Sequence, residues 1–113
     1  MQTANLEISH QPSNNGTLVA RLAGKLSIET VSILLQDLRP VGAEKLVLDM
    51  SGISYLDSAG VGALVQLFVH RRGKSQKFVL AALTQQGLAV IQVAGLMKLL
   101  PTFSTVEDAS APG

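Results

Sequence analysis

The first part of the chain alternates apolar and polar residues in two runs, with a turn between them. Residues 6–10 have the period of two typical of a half-exposed strand, and residues 17–22 form a second apolar-rich run. Between them lies Asn15-Gly16, a dipeptide that favours a tight reverse turn. The pattern predicts an antiparallel β-hairpin.

A helix is predicted after Gly24, with Ser27 as its N-cap and Glu29 in its first turn. Its apolar residues recur at spacings of three and four and form one stripe, composed of Ile28, Val31, Leu35 and Leu38. Arg39-Pro40 is expected to end this helix because the residue before a proline disfavours helical geometry.

Residues 45–50 form a short apolar run that closes with Asp49 and Met50, as expected for a buried parallel strand. A second helix is predicted from about residue 60 to residue 70, with Gly73 closing it. Its apolar positions are Val61, Leu64, Val65 and Phe68. This arrangement places Ser58 near the first turn of the helix.

Residues 77–82 indicate a fourth, buried strand. Thr84 is a candidate N-cap for a third helix, which has Leu88, Ile91 and Ala94 on one face. Gly95 fits a glycine at the end of this helix, with Leu96 packing back onto Ile91.

The carboxyl-terminal segment contains a short last strand at residues 101–104, and we expect only a frayed tail at residues 106–113. Strands joined through helices run parallel. The sequence therefore predicts a single α/β domain over residues 1–113. Its sheet has about five strands, is mostly parallel with an antiparallel hairpin at its start, and is covered by three to four helices.

Composition excludes several classes of function. The 113 residues have a formal net charge of +1, one tyrosine and no tryptophan, so we expect no direct nucleic-acid binding. The absence of cysteine excludes disulfides and thiolate chemistry, and His10 and His70 have no partners at metal-ligand spacing. Without a signal peptide or an apolar run of membrane-spanning length, we expect no membrane insertion and a cytoplasmic location.

Ser58 is the main candidate for chemistry. A serine at the start of a helix can act as a cap, be modified, or attack a substrate, since the free amide groups there also favour a phosphate. Asp57-Ser58-Ala59-Gly60 lacks the Gly-x-Ser-x-Gly pattern of hydrolases and has no histidine nearby in sequence. We therefore expect no enzymatic activity and no cofactor, and the residues alone leave open whether Ser58 is a cap or a modification site.

The most specific stretch is residues 46–60, where an apolar strand is followed by Asp49, a short linker, an apolar pair and Asp57-Ser58-Ala59-Gly60. Together with residues 22–26 and 94–96, it resembles the bacterial anti-sigma factor antagonists, which consist of one STAS domain. The resemblance covers roughly residues 6–103 and implies a STAS-like fold.

The resemblance also implies a function by partner switching. In that family the serine corresponding to Ser58 is phosphorylated by an anti-sigma factor that is also a serine kinase, and ATP belongs to this partner. The unmodified antagonist binds the kinase and frees a sigma factor for transcription, and a serine phosphatase restores the unmodified form.

Roles for the surrounding residues follow from the same comparison. We expect a partner-binding surface composed of Ser27, Leu56, Asp57, Ser58, Ala59, Gly60 and Val61, with Asp49 and Gly62 as structural residues of the site. Many family members carry aspartate at the position of Ser27, so the sequence leaves open how this serine affects phosphorylation.

Other interpretations remain open at this point. Some STAS domains are interaction subunits without a phosphorylation switch, for example in bacterial lipid-transport complexes. The basic residues 70–77 indicate a solvated helix end or the rim of a site for an acidic partner. The sequence also leaves open whether the protein forms a weak homodimer.

Overall fold

The computed structural model describes residues 5–13 and 15–112 of the chain. Asn14 and Gly113, which belong to the predicted turn and tail, lie outside the described residues. Within the described residues, five strands and four helices follow one another in the order β1 (Leu6–Pro12), β2 (Thr17–Leu26), α1 (Val31–Leu38), β3 (Lys45–Leu56), α2 (Ser58–Gly73), β4 (Lys77–Ala81), α3 (Gln85–Val93), β5 (Thr102–Phe103) and α4 (Val106–Ser110).

The strands form one mixed sheet in the order β1-β2-β3-β4-β5. β1 pairs with β2 in antiparallel orientation, and the other three pairs are parallel. At the hairpin turn, Asn15 and Gly16 both have positive φ angles, of 69° and 74°, which these two residue types tolerate. The predicted fold class and the direction of each strand are confirmed.

The two faces of the sheet are covered differently. Helices α1, α2 and α3 pack on one face, where the large apolar core includes Leu22, Leu34, Leu48, Leu64, Leu80 and Ile91. The other face carries a smaller cluster, composed of Val19, Val47, Val79, Ala81 and Ala109. Ala109 belongs to α4 and is fully buried, so the prediction of a frayed tail is wrong for residues 106–110. A five-residue helix with one buried alanine is too short to give a periodic signal.

β3 is longer than predicted and extends six residues beyond Met50. β4 ends opposite Asp49, so residues 50–56 pair only with β2, with two irregularities in the register. Gly52 permits close approach there, because a Cβ atom on it would lie 2.6 Å from the Leu22 carbonyl oxygen. The extension brings the end of β3 beside the end of β2.

Helix α1 begins at Val31, after a turn that contains residues 27–30. The predicted N-cap role of Ser27 is therefore wrong, and Ile28 lies outside the helix with 70% of its surface exposed. The apolar stripe is confirmed for Val31, Leu35 and Leu38, which lie in the main core or pack against it. Leu34, which the predicted stripe omits, is fully buried there as well.

Helix α2 continues through Gly73, and Ser75, with a φ of 58°, is the residue that takes the left-handed conformation after it. Arg71 is only 1% exposed and donates to the carbonyl oxygens of Val41, Ala43 and Lys77 at 3.0, 2.6 and 2.9 Å. Burial lowers the pKa of this guanidinium from its ordinary value. The interpretation of residues 70–77 as a wholly solvated end is thus wrong for Arg71, which fixes α2 to its neighbouring loops.

The predicted caps of α3 are confirmed, but its predicted apolar face is confirmed only for Ile91, because Ala94 is exposed and Leu88 does not belong to the core. The Thr84 hydroxyl accepts a hydrogen bond from the Gly87 amide at 3.1 Å, and Gly95 has a φ of 74°. The Leu96 amide donates to Ile91, which closes the helix in the predicted manner. Over the described part of the chain, no helix combines the length and the apolar character needed to cross a membrane.

Candidate functional site

Ser58 is exposed to solvent as the first residue of α2, which confirms its predicted position in the first turn. Asp57 is the N-cap and accepts a hydrogen bond from the Gly60 amide at 2.9 Å. The alternative in which Ser58 itself caps the helix is therefore wrong. Among the described residues, none forms a hydrogen bond with the Ser58 hydroxyl. The Ser58 hydroxyl is thus exposed to solvent, and no hydrogen bond to the described residues holds it in place.

The Asp57 carboxylate uses both of its oxygens. Oδ1 accepts the Gly60 amide, and Oδ2 accepts the amide of Ile28 at 3.2 Å. Ile28 is 29 positions away in sequence and lies in the turn between β2 and α1. Asp57 therefore joins that turn to the start of the helix that carries Ser58.

The end of β3 is fixed on both sides immediately before Ser58. The Asp57 amide donates to the Leu26 carbonyl oxygen of β2 at 3.2 Å. On the other side, the Gln86 side chain accepts from the Leu56 amide at 3.0 Å and donates to the Leu56 carbonyl oxygen at 2.8 Å. The sequence does not reveal this role of Gln86. Nothing in the local pattern distinguishes a first-turn glutamine that binds a neighbouring strand from one whose side chain contacts only solvent.

Ser27 is buried and holds the turn rather than a helix. Its amide donates to the Thr30 hydroxyl at 3.0 Å, and its own hydroxyl accepts the Glu29 amide at 3.3 Å. Thr30 is fully buried and donates to the Lys25 carbonyl oxygen at 2.8 Å. Because the Ser27 side chain is engaged in this turn, the residue beside it that faces solvent is Ile28.

The two glycines of the motif have roles opposite to those predicted. A Cβ atom on Gly60 would lie 2.4 Å from the Leu26 carbonyl oxygen and 2.8 Å from Leu56 Cδ1. Gly60 is buried and allows α2 to pack against β2, so it is a structural residue. Gly62 is exposed, and a Cβ atom there would have no neighbour within 4 Å. Gly62 is the glycine that a partner can approach.

The predicted apolar docking surface is wrong for Leu56, whereas Val61 is largely buried and contributes only to the lining of a groove. Leu56 is 0% exposed and Val61 is 4% exposed, because both side chains belong to the main core. Ala59 is half-buried. Among the residues that the structure describes, the exposed large apolar side chains are instead Ile28, Ile33, Tyr55, Val69, Val93 and Phe103.

Ser58 lies at a groove between α2 and α3 with a volume of about 610 Å³. It is the one residue of the lining with a polar side chain, the others being Val61, Gly62, Val65, Ala89, Val90, Val93, Ala94 and Leu96. Val93 is 90% exposed. Ser58 thus lies at an apolar groove near α3, and the neighbouring Asp57 carboxylate binds the Ile28 amide near α1.

Asp49 lies away from this site. Its neighbours Leu48 and Met50 point into the main core, whereas Asp49 lines a cleft on the α4 face with Arg21 and other residues. Asp49 Oδ1 accepts both the amide and the hydroxyl of Ser51, at 3.0 and 2.7 Å, and Oδ2 is 3.7 Å from Arg21 Nε. The structural role predicted for Asp49 is supported by these contacts, but they do not reach Ser58.

Among the described residues, no hydrogen bond joins the Ser58 side chain to a histidine or a carboxylate, as a catalytic triad would require. His10 Nε2 lies 2.6 Å from Asp37 Oδ2, and His70 is twelve positions along α2 from Ser58. The charged group at the serine is the Asp57 carboxylate, which already accepts two amide hydrogen bonds. Within residues 5–13 and 15–112, no group of three or more histidine, aspartate or glutamate residues could hold a metal ion.

Residues 8–109 match the STAS domain family. Among solved structures, an anti-sigma factor antagonist from Mycobacterium paratuberculosis is 25% identical, with 94% of this chain and 92% of that chain covered and a TM-score of 0.85. The unphosphorylated form of the anti-sigma factor antagonist SpoIIAA is 20% identical, with coverages of 91% and 92% and a TM-score of 0.75.

The same fold also occurs in a different setting. A sulfate transporter family protein from Wolinella succinogenes is 14% identical, with 88% of this chain and 85% of that chain covered and a TM-score of 0.76. At that identity the likeness shows the fold alone. The family match, in contrast, spans nearly the whole chain, and the protein therefore belongs to the STAS domain family, whose fold it shares with anti-sigma factor antagonists.

Proposed function

We propose that this protein is a cytoplasmic anti-sigma factor antagonist that works by phosphorylation-controlled partner switching. With Ser58 unmodified, it binds an anti-sigma factor that is also a serine kinase. Phosphorylation of Ser58 releases this partner, and a serine phosphatase reverses the modification. The observation that most supports the proposal is the exposed Ser58 hydroxyl, which lies at the start of α2 beside an apolar groove.

The chemistry of the site suits such a switch. A phosphate on Ser58 adds about −1.5 to −2 charges next to the Asp57 carboxylate. The amide groups and the partial positive charge at the start of α2 offset part of that repulsion within the free protein, so the modified form stays folded. A partner surface that covers the groove would instead have to desolvate the phosphate, which is strongly unfavourable.

The switch requires only a modest change in the free energy of binding. Weakening a complex a thousandfold takes about 4 kcal/mol. Placing a strongly hydrated dianion at a contact made for a neutral hydroxyl is sufficient for that effect without any change of fold. ATP belongs to the partner kinase, and this chain acts as its substrate and binding partner rather than as an enzyme.

A second candidate is a STAS interaction subunit without a phosphorylation switch, such as a component of a lipid-transport system. The observation that favours it is the groove, whose lining is apolar except for Ser58 and could bind a partner regardless of phosphorylation.

Phosphorylation and affinity capture separate the two candidates. Purified protein is incubated with ATP and the serine kinases of its source, and intact mass with fragmentation locates any phosphate. The switch predicts one phosphate on Ser58. In parallel, Ser58→Ala and Ser58→Asp baits are compared, and the switch predicts that a kinase is retained by the first and lost from the second.

Ser32→Asp is a matched control for the baits, since Ser32 is an exposed serine in the first turn of α1. It should retain the kinase as well as the wild type does. Equal recovery on the Ser58→Ala and Ser58→Asp baits, with no phosphate on Ser58, would refute the switch and favour the second candidate.

A further inference from the structure

We propose that Ile28 is a contact residue for the kinase that acts on Ser58, and that Asp57 is the positioning residue that holds it beside this serine. The inference rests on the proposed function, because it identifies how the partner recognises the same site. It assigns a recognition role to a residue outside the Asp57-Ser58-Ala59-Gly60 motif.

Exposure alone does not distinguish Ile28, since single apolar side chains are common on protein surfaces. Its backbone, however, is held by hydrogen bonds on both sides. The Ser27 amide donates to the Thr30 hydroxyl, the Ile28 amide donates to Asp57 Oδ2, and the Glu29 amide donates to the Ser27 hydroxyl. Three successive amides are therefore fixed while the Ile28 side chain is 70% exposed.

A fixed turn of this kind favours binding. An apolar side chain presented from an ordered backbone loses little conformational freedom when a partner covers it, so more of the gain from its burial appears as affinity. Thr30, which anchors the turn, is fully buried and donates to the Lys25 carbonyl oxygen. The turn is thus ordered before any partner arrives.

The Asp57 carboxylate sets the position of Ile28 relative to Ser58. Oδ1 binds the Gly60 amide in the first turn of α2, at 2.9 Å, and Oδ2 binds the Ile28 amide at 3.2 Å. A kinase that places its active site over the Ser58 hydroxyl must approach this carboxylate and the turn it holds. Ile28 therefore provides an apolar contact on the α1 side of the hydroxyl, while the groove borders it near α3.

Site-specific photocrosslinking tests the contact directly. Ile28 is replaced by the photoreactive residue p-benzoylphenylalanine in cells of the protein's source. Val69 receives the same replacement as a control, because it is 58% exposed and lies eleven positions beyond Ser58 on α2, about 16 Å along the helix axis. We expect a crosslink to the kinase from position 28, none from position 69, and loss of the crosslink in the Ser58→Asp background.

Purified components give the quantitative test. Ile28→Ala should weaken kinase binding about tenfold and raise the KM for phosphorylation of Ser58, with kcat unchanged. Val69→Ala should change neither quantity, and both variants should unfold at the wild-type temperature because both side chains are exposed. Ile28→Val should restore most of the affinity.

Asp57→Ser separates positioning from capping. Serine can still accept the Gly60 amide as an N-cap, but its single short hydroxyl cannot also bind the Ile28 amide. Hydrogen exchange should accelerate at the Ile28 amide and stay slow at Gly60. The Ile28→Ala change should then have a smaller effect on KM in the Asp57→Ser background than alone, since the two residues act together.

The outcomes distinguish this inference from the proposed function. Phosphate on Ser58 with no crosslink from position 28 and an unchanged KM for Ile28→Ala overturns the inference and leaves the switch intact. A crosslink from position 28 to a protein that leaves Ser58 without phosphate overturns the switch. It also overturns the assignment of Ile28 to a kinase contact. Absence of both phosphate and crosslink overturns both.

Discussion

Replacing Gly60 by alanine is expected to destabilise the protein, although alanine is the better helix former. The added methyl group would lie 2.4 Å from the Leu26 carbonyl oxygen and 2.8 Å from Leu56 Cδ1, well inside van der Waals contact. The carbonyl is backbone and also accepts the Asp57 amide at 3.2 Å. It therefore cannot move away without weakening that hydrogen bond.

The magnitude follows from three contributions. Forcing an extra methyl group into a packed site costs about 1–3 kcal/mol, and weakening a buried hydrogen bond costs about 1 kcal/mol more. The higher helix propensity of alanine offsets about 1 kcal/mol. Because the closest contact is a backbone atom, we expect a net loss near 3 kcal/mol, which lowers the melting temperature by roughly 10 °C in a domain of this size.

Gly62→Ala is the matched control, since it is the same substitution two residues further along α2. A Cβ atom at Gly62 has no neighbour within 4 Å, so only the gain in helix propensity applies, up to about 1 kcal/mol. Thermal and urea unfolding of both variants, followed by circular dichroism, measure the difference. A Gly60→Ala protein as stable as the Gly62→Ala protein would refute the packing described for the start of α2.

Three further predictions concern stability. Arg71→Met should lower the free energy of unfolding by about 3 kcal/mol in urea, because three carbonyl oxygens lose their donor. Burial, and secondarily the charge of Lys77, lowers the pKa of Lys45 below 10.5. As the pH approaches that value, the unfolded chain binds more protons than the folded protein does. The free energy of unfolding should therefore rise with pH up to about 10.5 in the wild type and vary less with pH in Lys45→Met. Ala109→Glu should cost at least about 2 kcal/mol and increase dye binding to exposed apolar surface, since it places a charge in the cluster beneath α4.

Much of the fold is predictable from the sequence because its signals are local. The alternation in residues 6–10, Asn15-Gly16, the cap at Thr84 and the glycine at position 95 each determine a nearby backbone conformation. The second half of β3 is different. Residues 51–56 contain two serines and a glycine and resemble a loop, and they form a strand only because β2 pairs with them on one side.

The motif predicts where the site lies, but the packing and hydrogen bonds within the site depend on tertiary contacts. Ser58 was found at the expected place, whereas the inward direction of Leu56 and Val61 depends on how α2 packs against the sheet. The hydrogen bond between Asp57 and Ile28 joins residues 29 positions apart, and a local sequence pattern cannot predict such a pair. For the same reason, the sequence does not show that Gly60 is the structural glycine and Gly62 the accessible one. That difference depends on the atoms that surround each glycine in the fold.

The hydrogen bond from Lys45 to the Ala111 carbonyl oxygen has a practical consequence for experiments on this protein. Lys45 begins β3 and Leu56 ends it, so eleven residue steps of strand, roughly 36 Å, separate Ala111 from the region of Ser58. That distance approaches the longest dimension of the molecule, 41 Å. A fluorophore or an immobilisation tag placed next to Ala111 should therefore leave the serine free to engage its binding proteins.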